Sequence, residues 1–256
     1  MEESLGLWVS ALRHSHDRLQ ALVQPLGEEA LRAPSYDSEW SIAQVLSHLG
    51  SQSEIFEMFL VAGLAGEDPP GAEAFSPIWE AWNARDPVAQ ASDALSFDEA
   101  VISHFESLSA EEAERFHLSL FGMELNATGL SRLRLSEHAV HTWDVAVALD
   151  PSAELAPDAV ALLVDTLGPL VARSGKSDGG GRRLEVSTTA PERRFRLEMG
   201  ETVLLTPSDS VASADLSLPA AAFVRLVYGR LDPVHTPALE APGVDLDELR
   251  QVFQGI

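Results

Sequence analysis

Apolar residues recur along the first 150 positions at spacings of three, four and seven, the period of an amphipathic helix. Leu5, Trp8, Val9, Leu12, Leu19, Leu22 and Val23 predict a first helix that ends near Pro25 and Gly27. Ile42, Val45, Leu46, Leu49, Phe56, Phe59 and Leu60 predict a long second one. Ser41 followed three residues later by Gln44 forms a capping-box pattern at its start. Ile78, Trp79 and Trp82 mark a short helix. The pattern breaks at Pro87 and resumes from Ala94 to Leu108 as a third long helix, with a further helical turn or two expected in 109–117. Leu133, Val140, Trp143 and Val147 place a fourth long helix over Arg132–Leu149. Four main helices with connections of moderate length predict a helix bundle.

The pattern changes at Asp150-Pro151. Pro157 opens a helix that continues from Asp158 to Ala172. Ser174–Gly181, SGKSDGGG, reads as a flexible loop, and it lacks the spacing and Lys-Ser/Thr ending of a phosphate-binding loop. Arg183–Thr189, Arg193–Met199 and Thr202–Thr206 then alternate apolar and polar residues as antiparallel strands do, and Ala214–Leu218 is a candidate fourth strand. Helices are expected from Pro219 to Tyr228 and from Asp245 to Phe253. The predicted class is therefore α+β with two domains: a four-helix bundle over 1–150 and a smaller α+β domain with an antiparallel sheet over 151–256.

Composition narrows the function classes. Seventeen Lys and Arg against 40 Asp and Glu give a formal charge of −23, which repels nucleic acid phosphates and anionic membranes. No stretch approaches the length of a membrane span, and the N-terminus lacks the basic and apolar segments of a signal peptide, so a cytoplasmic protein is expected. With no cysteine in the chain, disulfides, thiolate metal sites and a cysteine nucleophile are excluded. Any thiol chemistry must use a thiol brought from outside.

Four residues stand out against this background. Glu137 and His141 are four apart, and Asp144 is three further on, so all three lie on one stripe of the fourth helix. His48 interrupts the apolar stripe of the second helix, beside Gln44, Ser51 and Gln52. Each feature alone reads as an ordinary surface pair or a hydrogen-bonded core histidine. Together they form one proposal, in which a histidine from one helix and a carboxylate-histidine pair from another converge inside a bundle. Two imidazoles and one carboxylate leave coordination positions open, as catalytic metal sites do.

The run WSIAQVLSHLGSQSEIF, Trp40–Phe56, with the E-x-x-x-H-x-x-D pattern of Glu137, His141 and Asp144, resembles the DinB-like enzymes of the mycothiol-dependent maleylpyruvate isomerase type. The resemblance covers nearly the whole chain. It implies a DinB-like metal-binding bundle followed by a C-terminal domain similar to sterol carrier protein 2. It also implies a divalent metal, usually zinc, on His48, Glu137 and His141, with mycothiol as thiol cosubstrate ahead of bacillithiol or glutathione. An arginine of the second domain is expected in the active site. Arg225 and Arg230 are the candidates, and the hydrophobic-Gly-Arg ending favours Arg230. Asp144 would orient a ligand histidine or an arginine. The implied activity is transfer of the thiol to a small electrophile, or its isomerisation, by a monomer or homodimer. A metal-dependent hydrolase on the same residues, or a non-catalytic binding module, are the competing readings.

Overall fold

A computed structural model describes residues 4–36, 39–176 and 180–255. The chain divides into two compact units, Met1–Glu154 and Leu155–Ile256. The class is α+β, as expected, with helices dominating the first unit and a sheet in the second.

In the first unit, α1 (Leu5–Val23), α2 (Glu28–Leu31), α3 (Ile42–Ala65), α4 (Phe75–Asn83), α5 (Pro87–Ser107), α6 (Ala110–Arg115) and α7 (Ala127–Leu149) follow in order. The capping box at α3 is present: the Ser41 hydroxyl accepts from Gln44 N at 3.2 Å, and Gln44 Oε1 accepts from Ser41 N at 2.8 Å. The helix ends at Gly66, whose φ of 69° is the left-handed cap that glycine adopts without strain. Pro87, where the sequence pattern breaks, is the first residue of α5. Asp86 caps it by accepting from Val88 N and Ala89 N.

The long helices pack α1 on α7 and α3 on α5, with α3 also against α7 and α1 against α5. Leu19, Ile42, Leu46, Leu49, Trp82 and Val145 meet in the core. Trp82, wholly buried, lies against Gly50 of α3, where an added Cβ would come within 2.2 Å of the indole ring. Close approach of α4 to α3 therefore requires glycine at that position.

Three elements differ from the sequence expectation. The helix α7 starts at Ala127 rather than near Arg132, because Asn126 caps it by accepting from Gly129 N at 2.8 Å. Just before it, β1 (Leu118–Leu120) and β2 (Met123–Leu125) pair as an antiparallel hairpin. Its two central residues, Phe121 and Gly122, have φ of 52° and 77°, the signature of a type I′ turn. That conformation suits Asn-Gly. A phenylalanine there costs roughly 1–2 kcal/mol of backbone strain. The short helix α2 replaces what reads in sequence as a turn region.

In the second unit, the helix expected over 158–172 is split into α8 (Pro157–Leu163) and α9 (Leu167–Ser174) by a 3-10 turn at Val164–Thr166. Pro169 supplies no amide donor, and its ring crowds the preceding turn. The loop expected at Ser174–Gly181 falls in part on 177–179, outside the described residues. Four strands follow, β3 (Arg182–Thr189), β4 (Arg193–Met199), β5 (Val203–Pro207) and β6 (Leu216–Pro219), in sheet order β5-β4-β3-β6. The first three are antiparallel, as expected. The fourth runs parallel to β3, with Val186 opposite Leu216, because residues 208–215 carry the chain from one sheet edge to the other. Leu184, Val186, Phe195, Leu197, Leu216 and Leu218 are buried on alternate positions, and Phe195 packs 5.5 Å from Phe223 of α10 (Ala220–Val227). The last helix is α11 (Leu246–Val252).

Replacing Gly50 with alanine sets a helix-propensity gain of about 1 kcal/mol against an overpacking cost of 1–3 kcal/mol. Trp82 has no free side to move into, so Gly50→Ala should lose about 1–2 kcal/mol net. A lower urea midpoint at unchanged slope is the expected observation.

Candidate metal centre

The site is built on the seam of α3 and α7. One turn of α3 separates His48 from Gln52, and successive turns of α7 present Arg134, Glu137, His141 and Asp144. His48 Nε2 lies 3.7 Å from Glu137 Oε2, and His141 Nε2 lies 3.8 Å from the same oxygen. The two imidazole rings stand edge to face, 4.7 Å between centroids. Their ligand-competent atoms all fall within 4.8 Å of one another. Donors around one tetrahedral ion at 2.0–2.1 Å are about 3.3 Å apart, so a small contraction would close the triad on a cation. The residues therefore fit a divalent metal.

Each member is held by a neighbour. His141 Nδ1 is 2.8 Å from Asp144 Oδ2, and Asp144 is buried. A proton on Nδ1 shared with that carboxylate leaves Nε2 as a lone-pair donor aimed at Glu137. Gln52 Nε2 donates to Glu137 Oε2 at 2.9 Å, while Gln52 Oε1 accepts from Arg134 Nη1 at 3.0 Å. The His48 ring sits 5.3 Å from the Trp40 ring. Burial lowers the His48 pKa, because the imidazolium loses solvation, and Glu137 only partly offsets this. Burial alone would raise Glu137, but the His48 hydrogen bond, the His141 charge and Gln52 together hold it down to about 2. A neutral His48 and an ionised Glu137 are the states that metal binding requires.

Behind this seam lies a second cluster that sequence spacing does not reveal. Arg134, wholly buried, donates to Asp98 Oδ1 at 2.7 Å, Ser53 Oγ at 2.7 Å and Leu49 O at 3.2 Å. Asp98 Oδ2 is 2.7 Å from His16 Nδ1 and 2.8 Å from His138 Nε2. Ser15 Oγ lies 2.8 Å from His138 Nδ1. His16, Asp98 and His138 are close enough to be considered as metal ligands too. The guanidinium already balances the carboxylate, and His16 Nδ1 is hydrogen-bonded to Asp98 Oδ2 at 2.7 Å, tighter than a coordination shell requires. The cluster is a buried ion-pair network joining α1, α3, α5 and α7. His16 and His138 belong to it.

A cleft of about 680 Å³ opens beside the triad, with His48 and Gln52 in its wall. In the second unit, Arg225 is buried, and its Nη1 donates to His235 O at 3.0 Å. Arg230 is half-buried, its Nη1 donating to Tyr228 O at 2.8 Å. Arg225 thus ties the loop after α10.

Asp98 lies in full burial, which would raise its pKa, but His138 and Arg134 pull it well below the carboxylate range. A depressed folded pKa adds stability above the unfolded value of about 3.9, and that stability is lost as pH falls below it. Asp98→Asn leaves Arg134 uncompensated, so it should cost about 3–5 kcal/mol at neutral pH. Its urea-derived stability should also fall less steeply than the parent's below about pH 4.

Residues 12–146 match the family model described as the mycothiol maleylpyruvate isomerase N-terminal domain. A crystal structure of the mycothiol-dependent maleylpyruvate isomerase superposes with a TM-score of 0.68 at 14% identity, covering 90% of each chain. A point mutant of that enzyme gives 0.67 at the same identity and coverage. A protein of Geobacillus thermodenitrificans (strain NG80-2), provisionally named a metal-dependent hydrolase, is 36% identical over 73 residues. That match spans 28% of this chain and 40% of the relative. The structural likeness establishes a shared fold, and the family model covers more than half of the sequence. The chain belongs to the mycothiol maleylpyruvate isomerase N-terminal domain family.

Proposed function

We propose that the chain is a metal-dependent enzyme that activates a low-molecular-weight thiol, mycothiol, for transfer to a small electrophile or for its isomerisation. The observation that carries this reading is the convergence of His48, Glu137 and His141 at the wall of a cleft. In this reading the first unit is a DinB-like metal-binding bundle and the second an α+β domain of the sterol-carrier-protein-2 type. The protein is cytoplasmic and works as a monomer or homodimer. Among the described residues, no helix is long and apolar enough to cross a membrane.

The ligands His48, Glu137 and His141 would hold the ion, and zinc suits a set of two nitrogens and one carboxylate. When bound, a divalent ion there lowers the pKa of a ligated thiol and so supplies a thiolate at neutral pH. The chain's own residues do the rest. Asp144 keeps the His141 proton on Nδ1, away from the ligand face. Gln52 holds the Glu137 carboxylate in place through a single oriented amide. The cleft beside His48 offers a mainly aromatic wall to the substrate. With no cysteine of its own, the chain takes its sulfur from the cosubstrate. Arg230 would orient an oxygen of the cosubstrate or substrate by a charge-assisted hydrogen bond.

The named relative favours a second reading, a hydrolase using the same three residues with water as nucleophile. Thiol dependence separates the two. The metal-loaded protein, incubated with mycothiol and a panel of electrophiles, should form thiol adducts or isomers detectable by mass spectrometry. Turnover that proceeds equally without thiol would establish the hydrolase instead.

Two sets of variants test the assignments. His48→Ala should lose most of about one equivalent of metal while its helical circular dichroism persists, and Gln52→Leu should weaken metal affinity about 10–100-fold. Unchanged metal content in His48→Ala removes that residue from the ligand set. Arg230→Ala should keep metal and fold but lower thiol-dependent turnover about tenfold or more, with Arg230→Lys rescuing only in part. Arg225→Ala, in contrast, should lower the thermal midpoint, since its guanidinium is buried.

A further inference from the structure

The cleft beside His48 has an unusual wall. Among its described lining residues there is no Asp, Glu, Lys or Arg. Each of its amide and hydroxyl side chains makes at least one hydrogen bond within the protein. Gln44 Oε1 accepts from Ser41 N, Ser51 Oγ donates to His48 O, and Gln52 is bonded at both ends. Asn83 Oδ1 accepts from Ser47, and Gln90 donates to Trp82 O. What faces a ligand is therefore mainly aromatic. Phe56, Phe59, Phe75 and Trp79 form a continuous run of rings, with successive centroids 5.8, 5.8 and 6.0 Å apart.

Phe121 completes this wall from the β1–β2 turn. It is 72% exposed, so core packing does not account for it. Its φ of 52° is a conformation that phenylalanine adopts only at a cost and that asparagine adopts readily. A large, solvent-exposed ring held in a strained turn at the edge of an aromatic cleft is a feature that stability does not explain.

We propose that this cleft binds a flat, uncharged, conjugated electrophile, and that Phe121 is a specificity-determining residue whose ring closes over it. A small dicarboxylate finds no cation among the described residues of this wall, whereas an aryl enone can stack on its rings. The inference takes its reaction from the thiol-transfer reading above, but the binding does not depend on it. In that reaction the thiol sulfur bonds to the β-carbon of the enone and the alkene π pair moves toward the carbonyl. The α-carbon then gains a proton as the thiol loses one, so the adduct is the sum of thiol and enone and no oxidant or reductant is needed.

Trp40 and Trp79 in the wall provide the signal, since quenching of tryptophan emission reports binding without turnover. Chalcone is the neutral probe and maleate the anionic one, each titrated with metal-loaded and with chelator-treated protein. Chalcone should bind at least about tenfold tighter than maleate with or without metal. Phe121→Asn should weaken chalcone binding by about fivefold to tenfold. It should also raise the thermal midpoint by about 2–4 °C, as the turn relaxes. Trp79→Ala should weaken chalcone binding to a similar degree. Tighter binding of maleate, chalcone affinity within twofold of the parent in Phe121→Asn, or a lowered midpoint in that variant would each overturn the proposal. Chalcone binding as described without any thiol-dependent turnover sinks the thiol-transfer reading and leaves this one standing. Thiol transfer to maleate with an indifferent Phe121→Asn does the reverse.

Discussion

The buried pair of Arg134 and Asp98 is the interaction on which the first unit depends. Both side chains are almost completely removed from solvent, and their nearest atoms are 2.7 Å apart. Neither charge is tolerable alone in such a place, because the loss of hydration would exceed what packing returns. The network draws on four helices: His16 from α1, with Ser15 against His138, Leu49, Gln52 and Ser53 from α3, Asp98 from α5, and Arg134 and His138 from α7. A sliding of any one helix would break a hydrogen bond to a buried charge. The network thereby fixes the relative positions of α3 and α7, the two helices that carry His48, Glu137 and His141. An apolar core of the same volume would hold the helices together without specifying their register so tightly.

The proposed ligands were legible in the sequence because helical spacing is local. Glu137, His141 and Asp144 are one turn apart and must share a face, and His48 stands out in an otherwise apolar stripe. The Arg134–Asp98 network was not legible. Its members are separated by 36 to 123 residues, and each reads alone as a surface charge. An arginine at a core-facing position of α7 was the one available signal, and it is faint, since a long stem commonly snorkels from such a place. The hairpin before α7 escaped for another reason. Strands of three residues are too short to display an alternation, and Phe-Gly is not a recognised turn pair. The sheet of the second unit showed its three antiparallel strands through alternation, but strand direction at β6 is set by a loop crossing the sheet, which no local pattern encodes.

The two halves of the site differ in kind. On the triad side, polar groups are crowded and each is oriented by another: Asp144 by its contact with His141, Glu137 by Gln52. On the cleft side, the rings of Phe56, Phe59, Phe75 and Trp79 offer faces and edges with no preferred donor or acceptor. His48 belongs to both. Its imidazole faces Glu137 and His141 on one side and Trp40 on the other. Burial of this ring favours the neutral form, and Glu137 on the polar side offsets that only in part.

The amide of Gln52 links the buried cation to the candidate ligand Glu137 and has distinguishable ends. Arg134 donates into its oxygen, so its nitrogen must point outward and donate in turn to Glu137. A glutamate in its place would have two equivalent ends and no fixed sense. Through Gln52, the charge sealed in the bundle reaches the surface of the site as a direction and not as a charge.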